Sequence, residues 1–166
     1  MPEKAILVDE SVTTGRGFGP FTIGAKPHDW LSVTGGSIGL GMPMATGAAL
    51  ACPERKVICT EGDGSGMYTL QALWTQAREN CDVVNIIFNN GNYAILKGEF
   101  TNVGVQNPGR KALDMLELSR PNIDWCSLAT GMCVPALRAT DTNELNKHLA
   151  RAVSTPSPHL LEVMLT

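Results

Sequence analysis

The stretch that decides the fold is Glu61–Leu96, EGDGSGMYTLQALWTQARENCDVVNIIFNNGNYAIL. It reads as the end of a strand, a glycine turn, a helix, a buried strand and a polar turn. Asp63 lies in the first turn, and Asn90 and Asn92 lie in the second. Both turns follow strands, so in a parallel sheet both lie at the carboxyl edge, where open α/β sheets bind ligands. The stretch therefore predicts a ligand site that is shared by two strand ends.

The residue types in these two turns suit a metal ion and a phosphate group. A carboxylate at Asp63, an amide at Asn90 and a nearby free carbonyl are hard oxygen ligands, which Mg²⁺ prefers alongside phosphate oxygens and water. Gly62, Gly64 and Gly66 allow the main chain to approach a ligand closely. The helix that follows is expected to point its N–H groups and the positive end of its dipole at the same place, which suits a diphosphate.

Two motifs at a fixed spacing carry a family resemblance. GDGS at residues 62–65 and NNGNY at residues 89–93 together resemble the signature of thiamine diphosphate (ThDP) enzymes. Asn90 of the second motif lies 27 residues after Asp63 of the first. Upstream, GGSIGLGMPMATGAALACPERKVICTEGDGS is similar to the acetolactate synthase and benzoylformate decarboxylase branch of that family. The resemblance covers about Ala5 to Leu165. It implies a ThDP-binding fold of the α/β class, a three-layer, doubly wound and mostly parallel sheet, with ThDP and Mg²⁺ as cofactors.

The resemblance also implies a metal site and a diphosphate site. Asp63 and Asn90 would bind Mg²⁺ through their side chains, and Asn92 would bind it through its main-chain carbonyl. The diphosphate would accept hydrogen bonds from main-chain amides near the same turns. The residues expected to contact the cofactor are Gly36, Ile38, Gly62, Asp63, Gly64, Ser65, Asn90, Asn92, Tyr93 and Ala94.

Three of these positions have more particular expectations. Ile38 matches the bulky apolar residue that keeps the cofactor bent in the family, and an isoleucine in so glycine-rich a run is hard to explain as ordinary core. The carbonyl of Gly36 would accept a hydrogen bond from the aminopyrimidine. Many family members have glycine after the tyrosine of the second turn, whereas this chain has Ala94, which puts one main-chain contact in doubt.

The implied reaction is the decarboxylation of a small 2-keto acid, followed by protonation or by addition to a second carbonyl. Family members need a glutamate from a separate pyrimidine-binding domain, which in full-length members precedes this region together with a middle domain. Residues 1–166 match the C-terminal, diphosphate-binding domain alone. The chain is therefore expected to be inactive by itself, either as a fragment or as one subunit of a split enzyme, and to work in a homo-oligomer. PNIDWCSLATGMCVPALRAT favours an acetolactate-synthase-like protein.

Two other classes of function are weighed against this one. A non-catalytic domain that keeps the fold is disfavoured, because degeneration would be expected to erode the metal ligands first. A nicotinamide-binding or flavodoxin-like domain lacks its fingerprint, since Gly39 and Gly41 are followed by Met44 instead of a third glycine. No Gly-Lys-Ser/Thr follows either, so a P-loop is also excluded.

Composition limits the remaining classes. With 166 residues, 43% hydrophobic and 17% charged, the chain suits one α/β domain. A net charge of −3 gives no reason to expect nucleic acid or a membrane surface. No apolar run reaches the roughly 18 residues of a membrane span, and the N-terminus does not resemble a signal peptide. Five cysteines without a CxxC pair predict reduced core thiols in a cytoplasmic protein, and no zinc site at Cys126 and Cys133.

The pattern also predicts the elements. Strands are expected at Ala5–Val8, Trp30–Val33, Lys56–Thr60, Asp82–Phe88, within VPALRAT and at the C-terminal end. Helices are expected at Met42–Ala51, Tyr68–Glu79, within PNIDWCSLATGM, and from Thr140/Asp141 to about Val153.

Two long segments, from Ser11 to Asp29 and from Lys97 to Lys111, are expected to be loops. Trp74 is expected in the core, on the inner face of its helix. Glu10, Ser11 and Thr13 are weak site candidates, for which turn capping is an equal alternative. His28 is expected to be a histidine of a surface turn, and not a catalytic group.

Overall fold

Six strands form one sheet in the computed structural model of the chain, which describes residues 1–165. Their order across the sheet is β2-β1-β3-β4-β6-β5, and every neighbouring pair is parallel. The strands are β1 (Ile6–Glu10), β2 (Asp29–Ser32), β3 (Val57–Gly62), β4 (Val83–Asn89), β5 (Ala136–Ala139) and β6 (His159–Met164). The strand order reverses between β1 and β3, and such a switch point is where an open α/β sheet binds its ligand.

Helices connect the strands and cover both faces of the sheet. They are α1 (Phe18–Phe21), α2 (Gly41–Ala51), α3 (Asp63–Gly66), α4 (Ala72–Arg78), α5 (Ala94–Asn102), α6 (Arg110–Asp114), α7 (Trp125–Gly131) and α8 (Thr142–Ser154). The α/β class and the parallel, doubly wound sheet predicted from the sequence are thereby confirmed. No helix within residues 1–165 combines the length and the apolar character that crossing a membrane requires.

Alternation of side chains along the strands produces two separate apolar clusters. On one face, Val8, Val57 and Ile87 pack against α2, α4 and α7. On the other face, Leu7 and Ile58 belong to a cluster that includes side chains of α8. Successive residues of a strand point to opposite faces, so an almost continuous apolar run serves both layers.

The expectation that Trp74 lies in the core is wrong. Its neighbour Leu73 is fully buried, whereas Trp74 is 52% exposed and its ring lies under the Arg78 guanidinium, 5.5 Å from the centroid. The inward position is taken by Gln76, which is fully buried and accepts a hydrogen bond from the Asn85 amide at 2.7 Å. A buried amide pair thus occupies the inward position that the sequence pattern assigns to Trp74. α4 is also shorter than the helix predicted over Tyr68–Glu79.

Both segments predicted to be loops contain helical turns. The first has a 3-10 turn at Thr14–Gly17 and the single-turn helix α1. The second has α5, which covers residues 97–102 that the pattern assigns to a loop. α5 has no buried residue, so it has no apolar stripe by which a sequence pattern could reveal it.

The cysteines are all free, but they do not all lie in the core. Cys59 and Cys81 are buried, as predicted. Cys133 is exposed, which contradicts the expectation for that residue, because it follows α7 in a turn with φ of 62°.

Alanine substitutions at two adjacent residues test the orientation of α4. Leu73→Ala should lower the free energy of unfolding by about 2–5 kcal/mol, because it removes a fully buried side chain. Trp74→Ala should change it by about 1 kcal/mol or less, because the lost contact is an exposed one with Arg78. Urea denaturation followed by circular dichroism measures both values. A larger loss for Trp74→Ala than for Leu73→Ala would contradict this placement.

Candidate functional site

Asp63 joins the two turns that the sequence singles out. It directly follows β3 and begins α3, and it is 2% exposed. Its Oδ1 accepts a hydrogen bond from the Gly64 amide at 3.0 Å, and its Oδ2 accepts one from the Gly91 amide at 2.8 Å. Burial raises the pKa of Asp63 above its ordinary value, although these amides partly oppose the shift. A buried carboxylate therefore holds the turn after β4 against the turn after β3.

The second turn, NNGNY, is closed by its own side chains. Asn90 Oδ1 accepts a hydrogen bond from the Asn92 amide at 2.9 Å, and Asn92 Nδ2 donates to the Asn90 carbonyl at 2.9 Å. Gly91 between them has φ of 64°, a left-handed conformation that glycine adopts without strain. The Asn92 carbonyl accepts no main-chain hydrogen bond within residues 1–165, so it is available to a ligand.

A distant segment holds the outer side of this turn. The Leu118 amide donates to the Gly91 carbonyl at 2.7 Å, and the Tyr93 amide donates to the Leu116 carbonyl at 2.9 Å. The Tyr93 ring in turn explains why residue 64 is glycine. A Cβ atom at Gly64 would lie 2.4 Å from Tyr93 Cε1, so a larger residue would push the ring away.

Most of the predicted site residues line one small cavity of about 60 Å³ at the carboxyl edge of the sheet. From the predicted set, its walls include Ile38, Gly62, Asp63, Gly64, Ser65, Asn90, Asn92, Tyr93 and Ala94. Gly36 does not line it. A second cavity, of about 770 Å³, has Gly36 in its wall and shares Val12, Ile38, Tyr93 and Ile95 with the first. The two cavities are therefore adjacent, with Ile38 at their boundary.

The helix geometry differs from the expectation in one respect. The sequence predicts one helix over Tyr68–Glu79 after the Asp63 turn, whereas the structure has the single turn α3, which begins at Asp63, and a shorter α4, which begins at Ala72. The helices whose first residues line the small cavity are therefore α3 and α5, which begins at Ala94.

The weak candidates divide into two groups. Ser11 and Thr13 line the small cavity, and the Ser11 hydroxyl donates to the Asp9 carboxylate. His28 lies just before β2, at the opposite edge of the sheet, with its Nδ1 2.7 Å from the Lys26 carbonyl. Its place in a turn away from the site agrees with the sequence prediction.

Sequence reasoning named Glu10 as a weak candidate, but it missed Glu61 and the buried carboxyl pair that the two residues form. These residues are 2% and 0% exposed and lie side by side on β1 and β3. Burial, and secondly the charge of Glu10, raise the pKa of Glu61 to about 9, so Glu61 keeps its proton at neutral pH. Burial also raises the pKa of Glu10. The signal in the sequence was an acidic residue at the end of each of two otherwise apolar strands.

The arrangement fits Mg²⁺ and the diphosphate of ThDP. The donor set consists of one buried carboxylate, one side-chain amide oxygen and one free carbonyl, which are hard oxygen ligands. Residues 62–65 of the first turn and residues 92–94 of the second line the same cavity. The adjoining cavity is lined largely by apolar residues such as Val12, Ile38 and Met115, which suits the organic part of such a cofactor.

A second acidic cluster has a different character. Asp124, Cys126 and Glu162 offer ligand atoms within 4.8 Å of one another. Arg138, however, lies between the two carboxylates, 2.9 Å from Asp124 and 2.9 Å from Glu162. Burial, together with Glu162, raises the pKa of Cys126 to about 11, so its thiol stays protonated. The cluster is therefore an ion-paired part of the structure.

Comparisons with known proteins agree with this geometry. Residues 17–163 match the family described as "Thiamine pyrophosphate enzyme, C-terminal TPP binding domain". IlvX of Mycobacterium tuberculosis, named as an acetolactate synthase large subunit, is 52% identical over 99% of this chain and 32% of its own length. Benzoylformate decarboxylase of Pseudomonas aeruginosa is 37% identical over 98% of this chain and 29% of its own length.

Among solved structures, a thiamine diphosphate-dependent 4-hydroxybenzoylformate decarboxylase of Rhodococcus jostii RHA1 superposes with a TM-score of 0.85 at 31% identity. The superposition covers 99% of this chain and 30% of that protein. The chain thus spans about a third of the length of the curated relatives that it matches. Since the family match extends over most of its residues, the chain belongs to the thiamine pyrophosphate enzymes and carries their C-terminal TPP-binding domain.

Proposed function

We propose that this chain supplies the diphosphate- and Mg²⁺-binding half of the cofactor site of a 2-keto acid decarboxylase or carboligase, similar to acetolactate synthase. The observation that carries the proposal is the bond from the Gly91 amide to Asp63, 2.8 Å long, which brings both motifs to one cavity. The relatives named as acetolactate synthase and benzoylformate decarboxylase support the choice of reaction class.

In this proposal the metal ligands are Asp63, Asn90 and Asn92. Both carboxylate oxygens of Asp63 keep a lone pair beyond the amide bonds that they accept. Asn90 would turn its side-chain oxygen from the Asn92 amide toward the ion, and Asn92 would offer its carbonyl. A divalent cation would also offset the burial that raises the pKa of Asp63, because it favours the ionised carboxylate.

The amides of Ser65 and Ala94 would donate to the diphosphate. The amides of Gly64 and Asn92, which are assigned to it as well, would first have to leave the side chains of Asp63 and Asn90, and the Tyr93 amide donates to the Leu116 carbonyl. The Ser65 side chain does not share this role, because its hydroxyl is buried and donates to Glu61 at 3.1 Å. Ile38 would support the bound cofactor. Its side chain is 39% exposed, so it has apolar surface that a ligand would cover. The Gly36 carbonyl would accept a hydrogen bond from the aminopyrimidine.

When bound, ThDP supplies a carbon nucleophile and an electron sink for the loss of CO₂ from a 2-keto acid. The contribution of this chain is to bind, to orient and to exclude water. Val12, Ile38 and Ile95 form apolar walls next to the polar strand ends, and such walls favour a step in which charge is dispersed.

The site is proposed to be completed by a pyrimidine-binding domain, which would supply the glutamate that the family requires. Exposed apolar side chains surround the open cavity, among them Ile38 at 39%, Tyr68 at 59% and Met115 at 79% exposure. Apolar surface of this kind is typical of an interface that another domain covers. The chain by itself is therefore proposed to be inactive, and the working enzyme is proposed to be an oligomer.

Replacing Asp63 tests the metal site. Asp63→Ala should lower the Mg²⁺-dependent affinity for ThDP more than about 100-fold, since loss of an outer-shell partner alone costs 10–100-fold. The affinity is measured by calorimetric titration of ThDP with Mg²⁺ or with EDTA, in the chain alone and in the chain mixed with a pyrimidine-binding domain. Asp63→Asn, which keeps the size and loses the charge, should also bind weakly.

The matched control is Asp29→Ala, which removes an exposed carboxylate at the opposite edge of the sheet. It should leave the affinity for ThDP unchanged. Unchanged affinity in Asp63→Ala would show that the ligand assignment is wrong. Magnesium-independent binding, or no binding by the wild-type chain with its partner, would favour a non-catalytic domain.

Replacing Ile38 tests the apolar support. In the reconstituted enzyme, Ile38→Ala should lower kcat by about tenfold or more, which corresponds to about 1.4 kcal/mol of lost transition-state stabilisation. Leu40→Ala is the control, because Leu40 is equally exposed at 40% and lines neither cavity. Steady-state decarboxylation of pyruvate and of benzoylformate measures both variants. Equal losses in the two variants would indicate a general effect of the segment, and no role specific to Ile38.

A further inference from the structure

The buried pair Glu10 and Glu61 adjoins the two cavities: neither residue lines the small cavity, and Glu10 lines the larger one. The two residues are direct partners in the parallel register of β1 and β3. Both side chains are almost completely buried, at 2% and 0% exposure. Buried carboxyl groups are costly unless they are hydrogen-bonded, so their partners show what the pair does.

Those partners lie at the start of α2. The Glu10 carboxylate accepts hydrogen bonds from the amides of Gly39 and Gly41. Glu61 Oε1 accepts one from the Met42 amide at 2.9 Å. The first amides of a helix have no partner within the helix, and here two acidic side chains from the sheet satisfy them.

The two carboxyl groups meet around Gly41. A Cβ atom at Gly41 would lie 2.1 Å from Glu61 Oε1 and 2.9 Å from Glu10 Oε2, so glycine alone leaves room for both. Within residues 1–165, neither carboxyl forms an ion pair with lysine, arginine or histidine. The donors that the structure gives to these carboxyl groups are main-chain amides, the Ser65 hydroxyl and the Cys59 thiol.

The pair also reaches the Asp63 turn. Glu61 Oε2 accepts a hydrogen bond from the Ser65 hydroxyl at 3.1 Å, and that hydroxyl accepts one from the Gly62 amide at 3.2 Å. Hydrogen bonds to Glu61 and Glu10 therefore tie the turn that begins α3 and the segment Gly39–Met42 to the ends of two adjacent strands.

Residues 34–40 have few other attachments. Within residues 1–165, the side chains that bond this segment to other parts of the chain are Glu10, at the Gly39 amide, and Thr69, whose hydroxyl donates to the Gly39 carbonyl at 2.9 Å. The segment is mostly exposed, and Gly35 and Gly36 both have positive φ. Its position therefore depends on bonds at a single residue.

We propose that Glu10 and Glu61 are positioning residues, a buried carboxyl pair that sets Gly36 and Ile38 at a fixed distance from the Asp63 turn. The idea rests on the proposed function, because it assigns the two ends of one cofactor to these two segments. Glu10 holds the segment that contains Gly39 by two amide bonds, and Glu61 holds the Asp63 turn through the Ser65 hydroxyl.

Glutamine substitutions at the two positions form a matched pair. Glu61→Gln keeps an oxygen that accepts from the Met42 amide, and its NH₂ group can donate to the Ser65 hydroxyl, which is free to rotate. Glu10→Gln replaces one of the two oxygens that accept amide bonds with a donor group. Exchange of the Gly39 and Gly41 amide protons, measured by NMR without cofactor, should accelerate about tenfold or more in Glu10→Gln, as expected for lost bonds to a charged group. In Glu61→Gln it should stay within about threefold of wild type.

The reconstituted enzyme gives an independent readout. Glu10→Gln should lower kcat with little change in the affinity for Mg²⁺ and ThDP, because Asp63 and the second turn are untouched. Glu61→Ala should behave like Glu10→Gln, and Glu61→Gln should restore near wild-type kcat.

Three outcomes would overturn the pair. The first is equal amide exchange in Glu10→Gln and Glu61→Gln. The second, which needs no variant, is exchange of the Gly39 and Gly41 amides in the wild-type chain as fast as that of Gly35. The third is a Glu10→Gln enzyme with unchanged kcat. If the wild-type enzyme does not bind ThDP at all, the proposed function fails, while the exchange measurements still test the pair.

Discussion

A carboxylate removed from water must find hydrogen-bond donors, and this constraint organises the carboxyl edge of the sheet. Glu10, Glu61, Asp63 and Glu162 are all at most 2% exposed. Glu162 has a cationic partner in Arg138. For the other three, no cation pairs with the carboxyl within residues 1–165, and main-chain amides at the start of α2 and in the turn after β4 take that place. The acids at the strand ends thereby fix the start of α2 and the second turn.

The same constraint makes the edge suitable for binding a cation and an anion. Three buried acids without a cation lower the stability of the fold. The raised pKa values of Asp63 and Glu61 reflect the same burial. A divalent ion at Asp63 would offset part of this loss of stability, so binding of the ion would also stabilise the fold. This packing requires glycine at positions 41 and 64. A Cβ atom at position 41 would collide with Glu61, and one at position 64 would collide with Tyr93. The arrangement sacrifices stability for preorganisation.

The sequence predicted those parts of the fold that repeat a simple pattern. Apolar runs located all six strands, and Asp63 and Asn90, singled out by their spacing, line one cavity, because both results follow from the geometry of parallel strands. Prediction failed where contacts between residues that are separated in the sequence determine the structure. Gln76, which pairs with Asn85, points into the core at the position that was predicted for Trp74. α5 buries no side chain and leaves no periodic signal. Glu61 stood in the quoted motif, yet its role depends on Glu10, 51 residues away.

The unequal sizes of the two cavities explain why the residues of the small cavity can be predicted from the sequence, whereas the substrate cannot. A space of about 60 Å³ between the turns suits an ion and phosphate oxygens, and its walls are fixed by hydrogen bonds between motif residues. The adjoining space of about 770 Å³ is bordered by Ile38, Leu96 and Met115, which are 39%, 45% and 79% exposed. These side chains have few neighbours in this domain, so their final positions depend on whatever covers them. Under the proposed function, selection among 2-keto acids would then depend on that contact, and the sequence of one domain encodes only its own side of it.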